Sequence, residues 1–371
     1  MKKNLFILHL SMMRSSLLIV LSFFTICFSA VAQNKDILQL TNAFIDTVKS
    51  NAYSSANVNW DSIAPIIIKK SCGIKEAKDL LPLFKTVLSD LRDVHSSIQY
   101  HETDTSIKAD FMVQLRQMAK MTDSDAGLPP KNFRYDMIDR KYAYINIPPV
   151  RLEQAKYIDT IGKQLKFLDD NNPQAWIIDL TENSGGANYP MIWHFASLID
   201  VDYSYSDVLN TGEEKKISVV LKPEGEQAKQ VYDILELDPK KRPPIKLKNT
   251  QVPIIILTSY YTASAAEAFL LHFKGQKNVI TVGQKTYGLT STNQYYEIGN
   301  KFSLDLTISV LKDRNGKKYK INEGVNPDFL LPFDLSNIKT TNQLLEAVIN
   351  RKKDYIEKAL EIISKRSNFS L

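Results

Sequence analysis

Apolar and polar positions change their period repeatedly along the chain. Between Gln33 and Leu91, apolar residues recur every three or four positions in TNAFIDTVKSNA, WDSIAPIIIKKS and IKEAKDLLPLFKTVLSDLRDV, which predicts a helical region. The pattern weakens from Tyr100 to about Asn132 and breaks at Gly127-Leu128-Pro129-Pro130. Phe133–Ile147 then alternates like two short strands with a turn near Asp139-Arg140, and Gln154–Leu168 returns to a helical period. Two largely apolar runs follow, AWIIDL at Ala175–Leu180 and IIIL at Ile254–Leu257, and they read as strands covered on both faces. Each passes through a loop of small residues into a helix, Tyr189–Leu198 in one case and Ala265–Phe273 in the other. Two such strand–loop–helix units predict an α/β sheet with its site along the carboxyl edge of the strands. Asp202–Leu221 and Lys246–Thr250 read as excursions from this core, and the charged, proline-bearing Lys222–Pro244 reads as a loop or lid. Asn293–Leu311 reads as a hairpin around Gly299-Asn300, and Thr340–Ser364 as a terminal helix.

The chemistry concentrates where the second apolar strand hands over to its helix. Ser264 falls at that helix N-terminus, where the first backbone N–H groups have no intrahelical partner and suit a developing negative charge. Serine is a favoured N-cap, and Glu267 three residues on completes the pattern of a capping box. Ala263, Ala265 and Ala266 leave the hydroxyl uncrowded, which a nucleophile needs and a cap does not. Both readings stand on the segment alone.

Composition narrows the class. The chain of 371 residues carries a net charge of +6, and Lys2, Lys3 and Arg14 lie ahead of or within an N-terminal apolar run. Basic residues, the run Leu17–Cys27 and Ala30-Val31-Ala32 predict a signal peptide over residues 1–32, cleaved after Ala32, and an exported, periplasmic or extracellular protein. The run is short for a transmembrane span, so no stable membrane insertion is expected. Thr25-Ile26 lacks the small residue expected before a lipidated Cys27, which argues against a lipoprotein. Past residue 32 only Cys72 remains, which excludes an internal disulfide. No basic run interleaved with aromatics suggests nucleic acid, and no metal spacing or phosphate loop calls for a cofactor.

Taken together, DLTENSGG, LTSYYTASAAEAF, VGQKTYG and NEGVNPD occur in the order of the C-terminal processing (tail-specific) serine protease family, which the chain resembles from about Phe133 to Pro332. The resemblance implies a ClpP/crotonase-like α/β spiral core at residues 133–335. It also implies an N-terminal helical subdomain at 33–100, a connecting segment at 101–132 and a C-terminal helix at 336–371. Residues 101–132 are too few for the peptide-binding PDZ domain that many relatives insert. By resemblance the nucleophile is Ser264, and the oxyanion hole draws on the amides of Ala265 and of Gly185 or Gly186. A glycine pair also lets backbone approach a carbonyl closely.

The chain departs from the family's familiar subgroup at the general base. Thr286-Tyr287-Gly288-Leu289 puts leucine where that subgroup has lysine, and Lys285 is four residues away along the chain. The chain is more similar here to the tricorn core protease branch, which implies His95 as general base and Glu323 as the carboxylate that orients it. Of the other histidines, His194 and His272 lie in helices beside apolar neighbours and His101 keeps a weaker claim. The expectation is a serine peptidase acting on peptides or unfolded proteins. The alternative is a catalytically silent member of the fold that binds peptide or lipid.

Overall fold

The computed structural model describes residues 35–102, 111–219 and 225–367. The expected signal peptide and its cleavage after Ala32 lie outside the described residues. The helices are α1 (35–51), α2 (Trp60–Ser71), α3 (Leu81–Asp90), α4 (Phe111–Lys120), α5 (Gln154–Asp170), α6 (Asn188–Ile192), α7 (Gly225–Ile234), α8 (Ala265–Phe273), α9 (Thr341–Asn350) and α10 (Lys352–Ser367). The strands are β1 (Ser97–Tyr100), β2 (Tyr135–Ile138), β3 (Tyr142–Asn146), β4 (Ala175–Asp179), β5 (Tyr203–Leu209), β6 (Glu214–Ser218), β7 (Ile254–Thr258), β8 (Val279–Gly283), β9 (Ser291–Ile298), β10 (Phe302–Asp313) and β11 (Phe329–Leu330). They fall into two compact units, one running to Ser106 and including Gln294–Leu306, the other formed by the rest.

In the first unit, α1 to α3 bury their apolar stripes against one another, as the helical period requires. Phe44 stacks on Phe84 with ring centroids 4.0 Å apart, and Phe84 meets the edge of Phe302 at 5.1 Å. Strand β1 pairs antiparallel with the start of β10, Ile98 opposite Leu304.

The second unit is built on a six-stranded sheet of order β11-β8-β7-β4-β3-β2, parallel except for β2. Strands β4, β7 and β8 are buried at every position. Alternate residues explain why: Trp176, Ile178, Ile254 and Ile256 pack with Phe269 and Phe273 of α8, whereas Ile177, Ile255 and Leu257 pack with Val348, Tyr355 and Ile362 of α9 and α10. Both faces are covered, so neither run has room for a polar alternation.

Two expectations need correction. Asp202–Leu221 is no excursion: β5 pairs with the end of β10 and β6 pairs with β5. The charged Glu214-Lys215-Lys216 of β6 is the polar edge that hid the strand. The single terminal helix is two, broken at Arg351, whose N–H reaches back to Val348 and Ile349 carbonyls.

Candidate active site

Strand β7 delivers the chain into a turn that is stitched to the loop after β4. Thr262 Oγ1 donates to the Leu180 carbonyl at 2.8 Å, Ser259 Oγ to the Thr181 carbonyl at 2.6 Å, and the Ala263 amide to the Asn183 carbonyl at 3.1 Å. The two strand–loop–helix units thus meet at their loops, and Ser264 stands at the junction.

Ser264 has φ 53° and ψ −119°, a backbone conformation that a residue with a Cβ rarely adopts. Such a sharp strand-to-helix turn presents its side chain at the helix mouth, the geometry of a nucleophile elbow. The capping-box pair is present in loose form. Glu267 accepts the Ser264 amide at 2.9 Å, while the Ser264 hydroxyl approaches the Glu267 amide without completing a side-chain cap hydrogen bond. Ala265 is the first helical residue, so its amide has no partner four residues back.

Gly185 and Gly186 adopt φ 104° and 120° and are needed for close approach. A Cβ on Gly185 would stand 2.9 Å from both the Ala263 oxygen and the Ser264 Cβ, and one on Gly186 would stand 2.0 Å from the Val150 oxygen. The expected oxyanion pair is corrected in one respect. The Gly185 amide already donates to Asn183 Oδ1 at 2.8 Å, and Asn183 Nδ2 is tied to the Ile147 carbonyl at 2.8 Å. Gly185 supplies the fit against Ser264, and its amide is engaged with Asn183.

Glu267 does far more than cap. Its fully buried carboxylate accepts the amides of Ser264 (2.9 Å), Gly288 (3.0 Å) and Leu289 (2.7 Å) and the hydroxyl of Thr286. Burial pushes its carboxyl up to about 7 against the pull of these donors. Leu289, at the family's lysine position, therefore contributes its amide to the turn that holds Ser264. Thr286 exchanges hydrogen bonds with Val325, and Thr290 Oγ1 donates to the Glu323 carbonyl at 2.5 Å, so the segment of Glu323 packs on this same loop.

The Glu323 carboxylate accepts the Lys320 amide at 2.9 Å and pairs with Lys317 at 2.9 Å. Partial burial works against its charge, but these two contacts prevail and hold it below the usual carboxylate range. His95 lies in the other unit, in the turn between α3 and β1, with its amide on Asp93 Oδ1 at 2.8 Å. Burial lowers its imidazole below the ordinary value, and the carboxylates of Asp93 and Asp305 only partly offset this. His194 and His272 are core residues. His272 Nδ1 pairs with Ser204 Oγ at 2.6 Å and His194 Nδ1 accepts the Ile245 amide, and burial takes them to about 3 and about 4. The His101 ring pairs with Ser303 Oγ.

A buried ionic cluster backs the loop after β4, and no sequence pattern announced it. Asp179 at the end of β4 accepts Lys352 Nζ (2.6 Å) and Tyr144 Oη (2.6 Å), and Lys352 also pairs with Glu182 (2.7 Å), which Arg134 holds from another side.

Residues 141–331 match the sequence profile of peptidase family S41. The chain belongs to this family. Peptidase family S41 comprises serine peptidases with a ClpP-like α/β core, the fold described above. This S41 chain is 25% identical over 269 residues to a nisin-resistance protein of Lactococcus lactis subsp. lactis, covering 72% of this chain and 75% of that protein. In fold it is similar to a lipoprotein from Streptococcus agalactiae, with a TM-score of 0.61, 24% identity, and 84% of this chain and 96% of that one covered. It is also similar to a peptidase-like protein from Parabacteroides merdae, with a TM-score of 0.52, 14% identity, and 90% and 96% covered.

Proposed function

We propose that this S41 member is an exported endopeptidase that cleaves peptides or unfolded proteins through an acyl-enzyme on Ser264. The observation that carries the reading is the strained Ser264 turn, with Gly185 packed against it and the unpartnered Ala265 amide beside it. Ser264 Oγ attacks the scissile carbonyl as His95 takes its proton. The amides of Ala265 and Gly186 receive the oxyanion, and the protonated His95 then gives its proton to the leaving amine. Water, deprotonated by His95, releases the acyl group. Glu323 orients the imidazole and steadies its charged form. A carboxylate has lone pairs beyond those that the Lys320 amide and Lys317 occupy, so its present contacts do not consume it.

Export rests on the apolar leader, and no helix among the described residues is long and apolar enough to cross a membrane. A structural neighbour is a lipoprotein, so a lipid anchor on this chain is not excluded by Thr25-Ile26 ahead of Cys27.

The test is covalent labelling of the chain by a fluorophosphonate, with the modified residue read by mass spectrometry. Label on Ser264, lost in Ser264→Ala together with hydrolysis of casein-derived peptides, is the expected result. The substitution should cost only about 1 kcal/mol of stability, since any cap it removes is incomplete. His95→Ala should be as damaging as Ser264→Ala and Glu323→Gln less so. Because the His95 imidazole is lowered, kcat/KM should rise through an inflection below about 6.5 and then level off. An inflection well above neutrality would reject histidine as the base. A chain that takes no label and cleaves nothing would be the silent binder.

A further inference from the structure

A cavity of about 390 Å³ opens beside the Ser264 turn, its lining reaching Ser184 of the loop after β4 and Tyr261 of the loop after β7. Two proline pairs, Pro129-Pro130 and Pro148-Pro149, form part of its wall, and Leu345 and Ile349 of α9 form another part. Helix α9 explains the last two. Leu344 and Val348 face the core, while Leu345 and Ile349, four residues apart and one position further on, make a second apolar stripe. Ile349 keeps 42% of its surface exposed. Arg151 brings an exposed guanidinium to the lining, and most of the other charged and amide groups there are engaged already. Lys131 pairs with Asp123, Glu182 with Arg134 and Lys352, and Asn146 with the Asn132 carbonyl and the Arg134 amide. What the cavity offers an occupant is therefore mainly apolar, rigid surface.

We infer that this cleft is the subsite that takes an apolar side chain of the substrate next to the scissile bond, and that α9 sets its selectivity. The inference rests on the proposed peptidase reading. The occupant follows from continuity: Gly185, which touches the Ser264 turn, is one residue beyond Ser184, so a chain held for attack at Ser264 passes the mouth of the cleft. Prolines keep that wall in one conformation and spare the ordering entropy of flexible side chains. An apolar side chain is favoured there over a cationic one, which would give up its hydration beside the Arg151 guanidinium.

The experiment is a positional-scanning library of internally quenched peptides, cleaved by the protein and by Ile349→Lys and Ile349→Leu. Ile349 is exposed enough for lysine to spare the core, and thermal melts of both variants verify the fold. The wild-type protein should select leucine, isoleucine, methionine or phenylalanine at one position flanking the cut. Ile349→Lys should erase that choice and raise KM for the preferred peptide roughly tenfold or more, while Ile349→Leu should keep it. An unchanged preference in Ile349→Lys would overturn the inference while leaving the peptidase reading intact. Failure of the fluorophosphonate to label wild-type Ser264 would instead overturn that reading and this one with it.

Discussion

Glu267 is a fully buried carboxylate, and its position links most of the proposed site. One oxygen holds the amides of Ser264 and Leu289, and the other holds the Gly288 amide and the Thr286 hydroxyl. With the carboxyl pushed up to about 7, the folded state binds this proton more tightly than the unfolded chain does. Its contribution to stability is therefore complete below about pH 4.5 and is lost as pH rises through about 7. Glu267→Gln, which cannot titrate, should flatten that part of the dependence of Tm on pH. It should also lower kcat more than KM, because an amide oxygen and an NH2 cannot accept all four donors. Thermal melts at several pH values between 4.5 and 7.5 check the first statement; parallel curves for variant and wild type would remove the titration assigned to Glu267.

At the scale of elements, the two loops are one construction. Gly185→Ala places a methyl carbon 2.9 Å from the Ser264 Cβ and from the Ala263 oxygen, so Ser264, the proposed nucleophile, must move. A misplacement of about 1 Å costs on the order of 100-fold in turnover, and KM should change much less. Steady-state kinetics with one peptide decide it, and a loss confined to KM would make Gly185 a substrate-binding residue. How much of this was legible follows from the elements themselves. AWIID and IIILT are continuous apolar runs because helices cover both sheet faces, and α8 declares itself by its alanines and by Ser264. The Glu267 junction was visible only as a three-residue capping spacing, since its other partners lie 19 to 22 residues away and polar contacts at that range leave no period. Gly185 and Gly186 read alike as letters, and only the bond to Asn183 separates their roles.

At the scale of the whole second unit, Lys352 is the far end of its longest polar connection, 173 residues from Asp179. Burial opposes the charge on Asp179, but Lys352, Thr181 and Tyr144 hold it below the usual carboxylate range. Lys352→Met leaves that carboxylate buried without its cation, a loss of about 3–5 kcal/mol, and it leaves Glu182 to Arg134 alone. Urea unfolding should show the destabilisation, with turnover falling in parallel. A midpoint within experimental error of wild type would mean that Asp179 finds water or another partner.

Because Lys352 begins the last helix, the order in which the chain is made acquires a meaning. Ser264, Gly185 and Glu267 leave the ribosome long before α10 does, and until then the back face of the sheet has neither Tyr355 nor Ile362 to cover it. The loop behind the proposed oxyanion hole has Arg134 on Glu182 by then, and gains Lys352 when α10 folds onto the sheet. A growing chain that has made the Ser264 turn but not α10 therefore lacks the cation that Asp179 pairs with.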